Sequence, residues 1–428
     1  MKILKNIFSR KSSIWLALEL VLVTIACWWA YDPVLVNYHL SHLPLGYDAD
    51  RLVRMSVASN LPVEQAYQNS DLFVTEEAQL VEKVQEMDGV EMAFASPFKT
   101  IGLGNMASAN YYYTKLGEDS VWTYNYGFLR NSKMFEVFGI QSITPGVPTS
   151  ELSHDCMFDQ SVIITRTLAM TLFGTTDVAG RTITSYTNAY NPEKGDFEKV
   201  HVEHPIRAVV EDVRTNNNDR DCMDVFLCQG GPAFNMPIIV RLREGVDANK
   251  FIQSHQQQVD HELVTEHCFV RSMSPLTEIS DKYYERWTSR TTRRNLLIAA
   301  FFTINLALGV IGTLLMYTRQ RREEAGVKRA FGATRWNVFL GFLREAWLLT
   351  TISVLIGCTI YLQFAVSSGL YNGETHPIKP LWFDSFGTHF LVVSVFVYLV
   401  ILATVLIGTA IPAWRICRTS INESIKEE

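Results

Sequence analysis

The chain has 428 residues, 48% of them hydrophobic and 19% charged, with a formal net charge of −6. That charge is split: residues 32–294 carry 23 Lys/Arg against 35 Asp/Glu, a net −12, so the flanking sequence is +6. An acidic middle argues against nucleic-acid binding, and basic ends around apolar runs fit a membrane protein.

Four apolar stretches reach the ~17–25 residues that a helix needs to cross a bilayer core. In chain order they are Ile14–Tyr31, Asn295–Tyr317, Ala346–Val366 and Phe390–Ala413. The first follows a short basic segment, residues 1–13 (Lys2, Lys5, Arg10, Lys11), and Trp28-Trp29-Ala30-Tyr31 gives no small-x-small cleavage site. It therefore reads as an uncleaved anchor. Glu19 lies inside it; the carboxylate either meets a base on a neighbouring helix or sits protonated or snorkelling near the headgroups.

Residues 32–294 read as one mixed α/β domain inserted between the first and second spans. Alternation predicts strands at Arg51–Ser59, Val90–Phe98, Tyr111–Leu116, Ser161–Thr165, Pro205–Val213 and Pro237–Arg243. Helical spacing predicts helices at Thr75–Asp88, closed by Gly89, at Thr167–Phe173 before Gly174, and at Asp247–Val264. Tyr186–Glu198 and Thr215–Asp221 read as polar loops. Thr277–Arg294 is helix-compatible and runs into the second span as a stalk.

Cys156, Cys222, Cys228 and Cys268 lie in this segment. Outside the cytoplasm disulfides are permitted, with Cys222/Cys228 the nearest pair; buried thiols are the alternative. No metal site is expected: His201 and His204 have an odd spacing and so fall on opposite faces of a strand, and His154-Asp155-Cys156 is the one other ligand-like cluster. No nucleophile elbow, HExxH or phosphate-binding Gly-rich loop is present, so no catalytic residue and no cofactor is assigned.

Residues 318–345 form a basic loop between the second and third spans, with seven Lys/Arg from Arg319 to Arg344. Residues 367–389, between the third and fourth spans, carry only Lys379, and residues 414–428 are again basic through Arg415, Arg418 and Lys426. Both termini and the 318–345 loop are therefore predicted to be cytoplasmic. Within the loop Val327, Phe331, Val338 and Phe342 follow helical spacing, as in short amphipathic helices lying at the membrane surface.

Glu324-Ala-Gly-Val-Lys-Arg-Ala-Phe-Gly-Ala-Thr334, followed by Glu345, resembles the E-x-G-I-R-[KR]-A-[LF]-G-A segment of FtsX/MacB-type ABC transporter permeases. Pro412-Ala-Trp-Arg415-Ile-Cys-Arg418 with Glu423 resembles the tail of the same family. Val162–Gly174, Val178–Ile183 and Ile206–Val213 resemble the MacB periplasmic core domain. Glu323, at a usually basic position, and Ile421, where Pro is common, depart from the pattern. No ATPase domain is present in these residues.

The resemblance implies a permease subunit in the inner membrane that couples ATP hydrolysis on a separate ATPase chain to motion of its periplasmic domain. Glu324, Gly326, Lys328, Arg329, Ala330, Gly332 and Ala333 would form the ATPase-coupling element, and Arg415, Arg418 and Glu423 a contact from the tail. A homo- or heterodimer with a second permease is implied, and a periplasmic adaptor or outer-membrane partner is compatible with the family. The competing reading is a transmembrane sensor that regulates a periplasmic partner without transport.

Overall fold

The computed structural model describes residues 11–62, 65, 70–97, 100–101, 108–115, 120–154, 161–191, 195–214, 222–229, 236–284, 290–316, 325–367 and 386–418. It divides into two compact units, one of residues 1–40 with 288–428 and one of Ser41–Trp287.

The first unit is helical. Helix α1 (Lys11–His42) contains the first predicted span and continues beyond it, with Pro33 inside. Helix α7 (Arg290–Met316) covers the second predicted span, α9 (Arg335–Ser367) the third and α10 (Phe386–Arg418) the fourth. Among the described residues three helical stretches are long and apolar enough to cross a membrane: Ser13–His39, Arg335–Ser367 and Phe386–Arg418. At ~1.5 Å per residue, α9 and α10, with 33 residues each, are about 50 Å long and exceed a ~30 Å hydrocarbon core.

Small residues let these helices approach closely. A Cβ on Gly357 of α9 would lie 2.7 Å from Thr24 Cβ of α1, and one on Gly309 of α7 would collide with the Glu19 carboxylate. Glu19 thus packs on a glycine backbone of the neighbouring helix. Trp28 is fully buried, donating from Nε1 to Ser394 Oγ at 3.1 Å and lying 4.1 Å from the Tyr361 ring. Beside it His389 Nε2 lies 2.9 Å from Asp32 Oδ1. Leu22, Leu355, Leu391, Leu399 and Ile407 point outward, as expected of helices that are apolar all round.

The second unit is a mixed α/β domain with two lobes. Strands β1 (Leu52–Ser59), β2 (Val90–Ala95), β9 (Ile238–Leu242) and β10 (Cys268–Pro275) make an antiparallel sheet in the order β10-β1-β9-β2. Helices α2 (Ser70–Gln85) and α5 (Ala248–Glu262) cover one face, Phe73, Leu80, Phe251 and Val259 packing on Val53, Met55 and Val240. The other lobe is a closed barrel in the order β3-β4-β8-β5-β7-β6. Its strands are β3 (Ser108–Tyr113), β4 (Val121–Leu129), β5 (Val162–Thr165), β6 (Thr182–Asn191), β7 (Asp196–Val210) and β8 (Asp224–Gln229).

The short helices α3 (Met134–Phe138) and α4 (Arg166–Phe173) pack on the barrel lobe. Both end in a left-handed glycine, Gly139 and Gly174. Arg241 of β9 ties the lobes together: Nη2 meets Asp48 Oδ2 at 2.6 Å, and Nη1 donates to the Glu136 and Val137 carbonyls at the end of α3. Cationic donors suit the unsatisfied carbonyls of a helix C-terminus.

Two expectations are corrected here. Tyr186–Glu198 is not a loop: Thr182–Asn191 pairs with Asp196–Pro205 as a long antiparallel hairpin, with Tyr186 opposite His201 and Tyr190 opposite Phe197. Its strands are polar because much of the ribbon lies beyond the barrel wall, so neither face carries an apolar stripe. Cys222 and Cys228 are not disulfide-bonded. Cys228 lies in β8 and Cys222 two residues before its start, six positions apart; in extended chain that is about 20 Å, whereas a disulfide needs Cα atoms within ~7 Å. Cys228 is buried in the core, its Sγ donating to the Gln229 carbonyl.

Helix α6 (Leu276–Tyr284) follows β10 directly. The rest of the predicted stalk passes through residues 285–289, which like the 215–221 loop lie outside the described residues.

Candidate functional site: an apolar knob at the ends of two helices

A short helix, α8, covers residues 325–330. Its end is a left-handed glycine turn: Gly332 has φ +91, its N–H donates to the Arg329 carbonyl, and the Ala333 N–H reaches back to the Lys328 carbonyl at 3.0 Å. This Schellman-type closure needs a residue without a Cβ penalty at the reversal. Thr334 then caps α9, its hydroxyl accepting from the Asn337 N–H at 3.2 Å and its carbonyl from the Val338 N–H at 3.1 Å.

The predicted amphipathic pattern is therefore cut in two. Val338 and Phe342 lie on α9 and are buried, whereas Val327 and Phe331 precede the reversal and are 53% and 89% exposed. The register resets at Gly332, so the four side chains do not share one face. The second half of the loop is the opening of α9 itself, not a separate surface helix.

One side of this element is anchored. Ala325, Val338, Phe339 and Phe342 form a buried cluster with Ala413, Ile416 and Cys417 at the end of α10. Phe339 meets the Trp414 ring edge-on at 5.6 Å, and Lys328 Nζ lies 5.9 Å from the centre of the Phe342 ring. Val327, Phe331 and Trp336 are exposed, the last by 56% while its ring stacks on Phe339 at 5.3 Å. The residues predicted from the sequence gather here: Gly326 is buried, Arg329 and Ala333 are half-buried, and Lys328, Ala330 and Gly332 are exposed. Arg415 and Arg418 are exposed in the last turn of α10, where cations suit the helix dipole. Glu324 and Glu423 lie outside the described residues. Sequence reasoning did not single out Phe331 and Trp336 as contact residues; the signal was a large aromatic on each side of a Gly-Ala-Thr break.

In the α/β unit the histidines behave as their spacing predicts. His204 is buried with Nε2 2.8 Å from Ser185 Oγ, and His201 lies outward beside Tyr186. Among the described residues one ligand-type cluster occurs: Glu76, Glu266 and His267. Glu76 is occupied as a clamp, accepting from the His267 and Cys268 N–H groups and the Thr265 hydroxyl, with His267 Nδ1 at 2.7 Å.

Residues 296–421 match the FtsX-like permease C-terminal family. The chain is 40% identical over 63 residues to the macrolide export ATP-binding/permease protein MacB of Marinobacter nauticus, covering 15% of this chain and 10% of that protein. It is 36% identical over 91 residues to MacB of Neisseria gonorrhoeae, covering 21% and 14%. The matches thus span a tenth to a seventh of those relatives' length. Among solved structures, the periplasmic region of MacB from Actinobacillus actinomycetemcomitans aligns with a TM-score of 0.30 at 12% identity, over 55% of this chain and 94% of that one. A domain of a permease protein from Porphyromonas gingivalis aligns with a TM-score of 0.28 at 18% identity, over 54% and 92%.

Proposed function

We propose that this chain is an FtsX/MacB-type permease of the inner membrane and the non-catalytic membrane subunit of an ABC transporter. On this reading α7 is a fourth span and both termini are cytoplasmic. A separate ATPase docks on the 324–334 segment, and its closure is passed through α9 and α10 to motion of the α/β domain outside. The single observation that carries the docking assignment is the two-sided construction of that segment. Phe331 stands 89% exposed on a reversal whose other side is buried against α10. An aromatic projecting from a rigid support is what an interface hot spot requires. A partner that displaces the knob also moves the ends of two long helices at once.

The spans favour a lever over a pore: their polar residues are few, and Thr350, Thr351, Thr359 and Thr404 donate to carbonyls of their own helices. Dimerisation with a second permease, and an adaptor or outer-membrane partner, follow the same family reading. The test is purification of the full chain in mild detergent with identification of co-purifying proteins. An ABC ATPase should accompany the wild-type chain. Phe331→Asp should reduce its recovery by ~30-fold or more, as loss of a ~2 kcal/mol hot spot implies, and Lys328→Glu with Arg329→Glu should weaken it further. A wild-type chain that captures no ATPase, or a Phe331→Asp chain that captures it undiminished, overturns the docking assignment.

A further inference from the structure

Arg290, Arg293 and Arg294 occupy the first turns of α7, with Leu297, Ile298 and Phe301 directly below them along the helix. The six line a groove of about 440 Å³. Residues 290, 294, 297 and 301 recur at helical spacing and so share one face, with 293 beside them. All three arginines are exposed, and Leu297 and Phe301 are 65% and 61% exposed. Among the described residues no carboxylate lines the groove and none forms an ion pair with these guanidiniums. The face is therefore a concentrated positive head above an uncovered apolar track, about 16 Å from Arg290 to Phe301 at helical rise.

Basic residues are depleted beside spans on the non-cytoplasmic side, and three within five positions oppose the orientation set by the rest of the chain. As mere flanks they would be unfavourable, so they call for an anionic partner. We propose that this face binds an anionic phospholipid of the outer leaflet, the arginines holding its phosphate and the Leu297–Phe301 track holding the upper part of an acyl chain. The leaflet assignment rests on the four-span topology proposed above. Guanidinium forks match phosphate oxygens in pairs, and the groove has both the charge and the apolar length that a lipid supplies. A second copy of the chain fits poorly: two-fold pairing through this face would set three arginines against three.

The test uses the full chain in detergent, with native mass spectrometry of retained phosphatidylglycerol against phosphatidylcholine of the same acyl composition. The wild-type chain should retain phosphatidylglycerol at least ~5-fold better, the contribution of one arginine near a charged surface. The triple Arg290→Gln, Arg293→Gln, Arg294→Gln variant should retain the two equally, and the triple Lys variant should keep the preference. Equal retention by the wild-type chain overturns the proposal without any variant. So does a preference that survives the Gln substitutions, or displacement of the lipid by inorganic phosphate. Labelling of Ser289→Cys by a membrane-impermeant maleimide, in a cysteine-free background, reads the topology separately. An unlabelled cysteine there overturns the outer-leaflet assignment, whereas equal lipid retention overturns the site.

Discussion

Glu76 shows how one carboxylate organises a stretch of chain. Its side chain is almost fully buried on α2, and its oxygens accept from Thr265, His267 and Cys268 across the turn that leads into β10. Burial alone pushes the carboxyl up, but the hydrogen bonds from Thr265 and His267 and the nearby imidazole outweigh it and hold the group at about 2, against an ordinary value of 4.5. A depressed folded-state value means the stabilisation is complete above about pH 4.5 and is lost as the pH falls towards about 2. Glu76→Gln should remove that part of the acid sensitivity. Glu76→Ala, which leaves buried donors unpaired, should cost ~1–3 kcal/mol; acid titrations of both variants followed by near-UV circular dichroism check this. An acid midpoint unchanged in Glu76→Gln would count against the clamp. The same carboxylate, after burial itself, helps push the Cys268 thiol up to about 12, so that thiol is inert at neutral pH.

Among the elements, the α8–α9 junction depends on two local choices. A Cβ at Gly332 would meet nothing within 4 Å, so the cost of Gly332→Ala is backbone strain alone, ~1 kcal/mol. Thr334→Ala removes a cap worth ~1 kcal/mol. Gly332→Ala should raise amide exchange of residues 325–333, and Thr334→Ala that of the first turn of α9 around Asn337, by about fivefold each while leaving α10 unchanged; full protection in Gly332→Ala would sink this account of the turn. The helices themselves were legible because runs of 17–25 apolar residues have few alternative homes. The knob was legible only as a motif: composition located the segment, but which side of each aromatic faces outward depended on a reversal at one glycine. The barrel was the least legible element. Its β4–β8 and β5–β7 pairs are parallel and non-local, Tyr126 opposite Phe226 and Ile163 opposite Ala208, and no local pattern encodes such a pairing. Val121–Leu129 and Asp224–Gln229 accordingly went unassigned as strands.

For the whole molecule, the α/β unit carries its own hydrophobic interior. Strand β1 serves both lobes, with Leu52 in the barrel-side core and Val53, Met55 and Val57 in the helix-covered core. The lobes therefore cannot lose structure independently without exposing the other's strand. Residues 41–287 expressed alone should fold in solution and melt in one cooperative transition. Two separated transitions by calorimetry would contradict a shared β1. A boundary between apolar flanks and an acidic middle was visible in the charge split and hydropathy, and the chain divides into compact units near it, at Ser41 and Trp287. The internal two-lobed arrangement was not visible there, because it depends on which face of β1 each lobe claims.

The β6–β7 ribbon carries a consequence of its own. Strand β3 pairs with β6 only at Ser185 and Thr184, and β5 pairs with β7 only from Ile206 onward. Between those limits and the turn, each strand of the ribbon is hydrogen-bonded on one side only among the described residues. Among the described residues no further strand pairs with these two outward edges, and a seam of that kind can accept another extended chain. Asp196, Glu198 and Lys199 stud the distal part of one seam, which discourages accidental self-addition by like copies. A chain stripped of these charges would meet its hazard there, in stacking copy upon copy, well before the barrel beneath had lost a single strand.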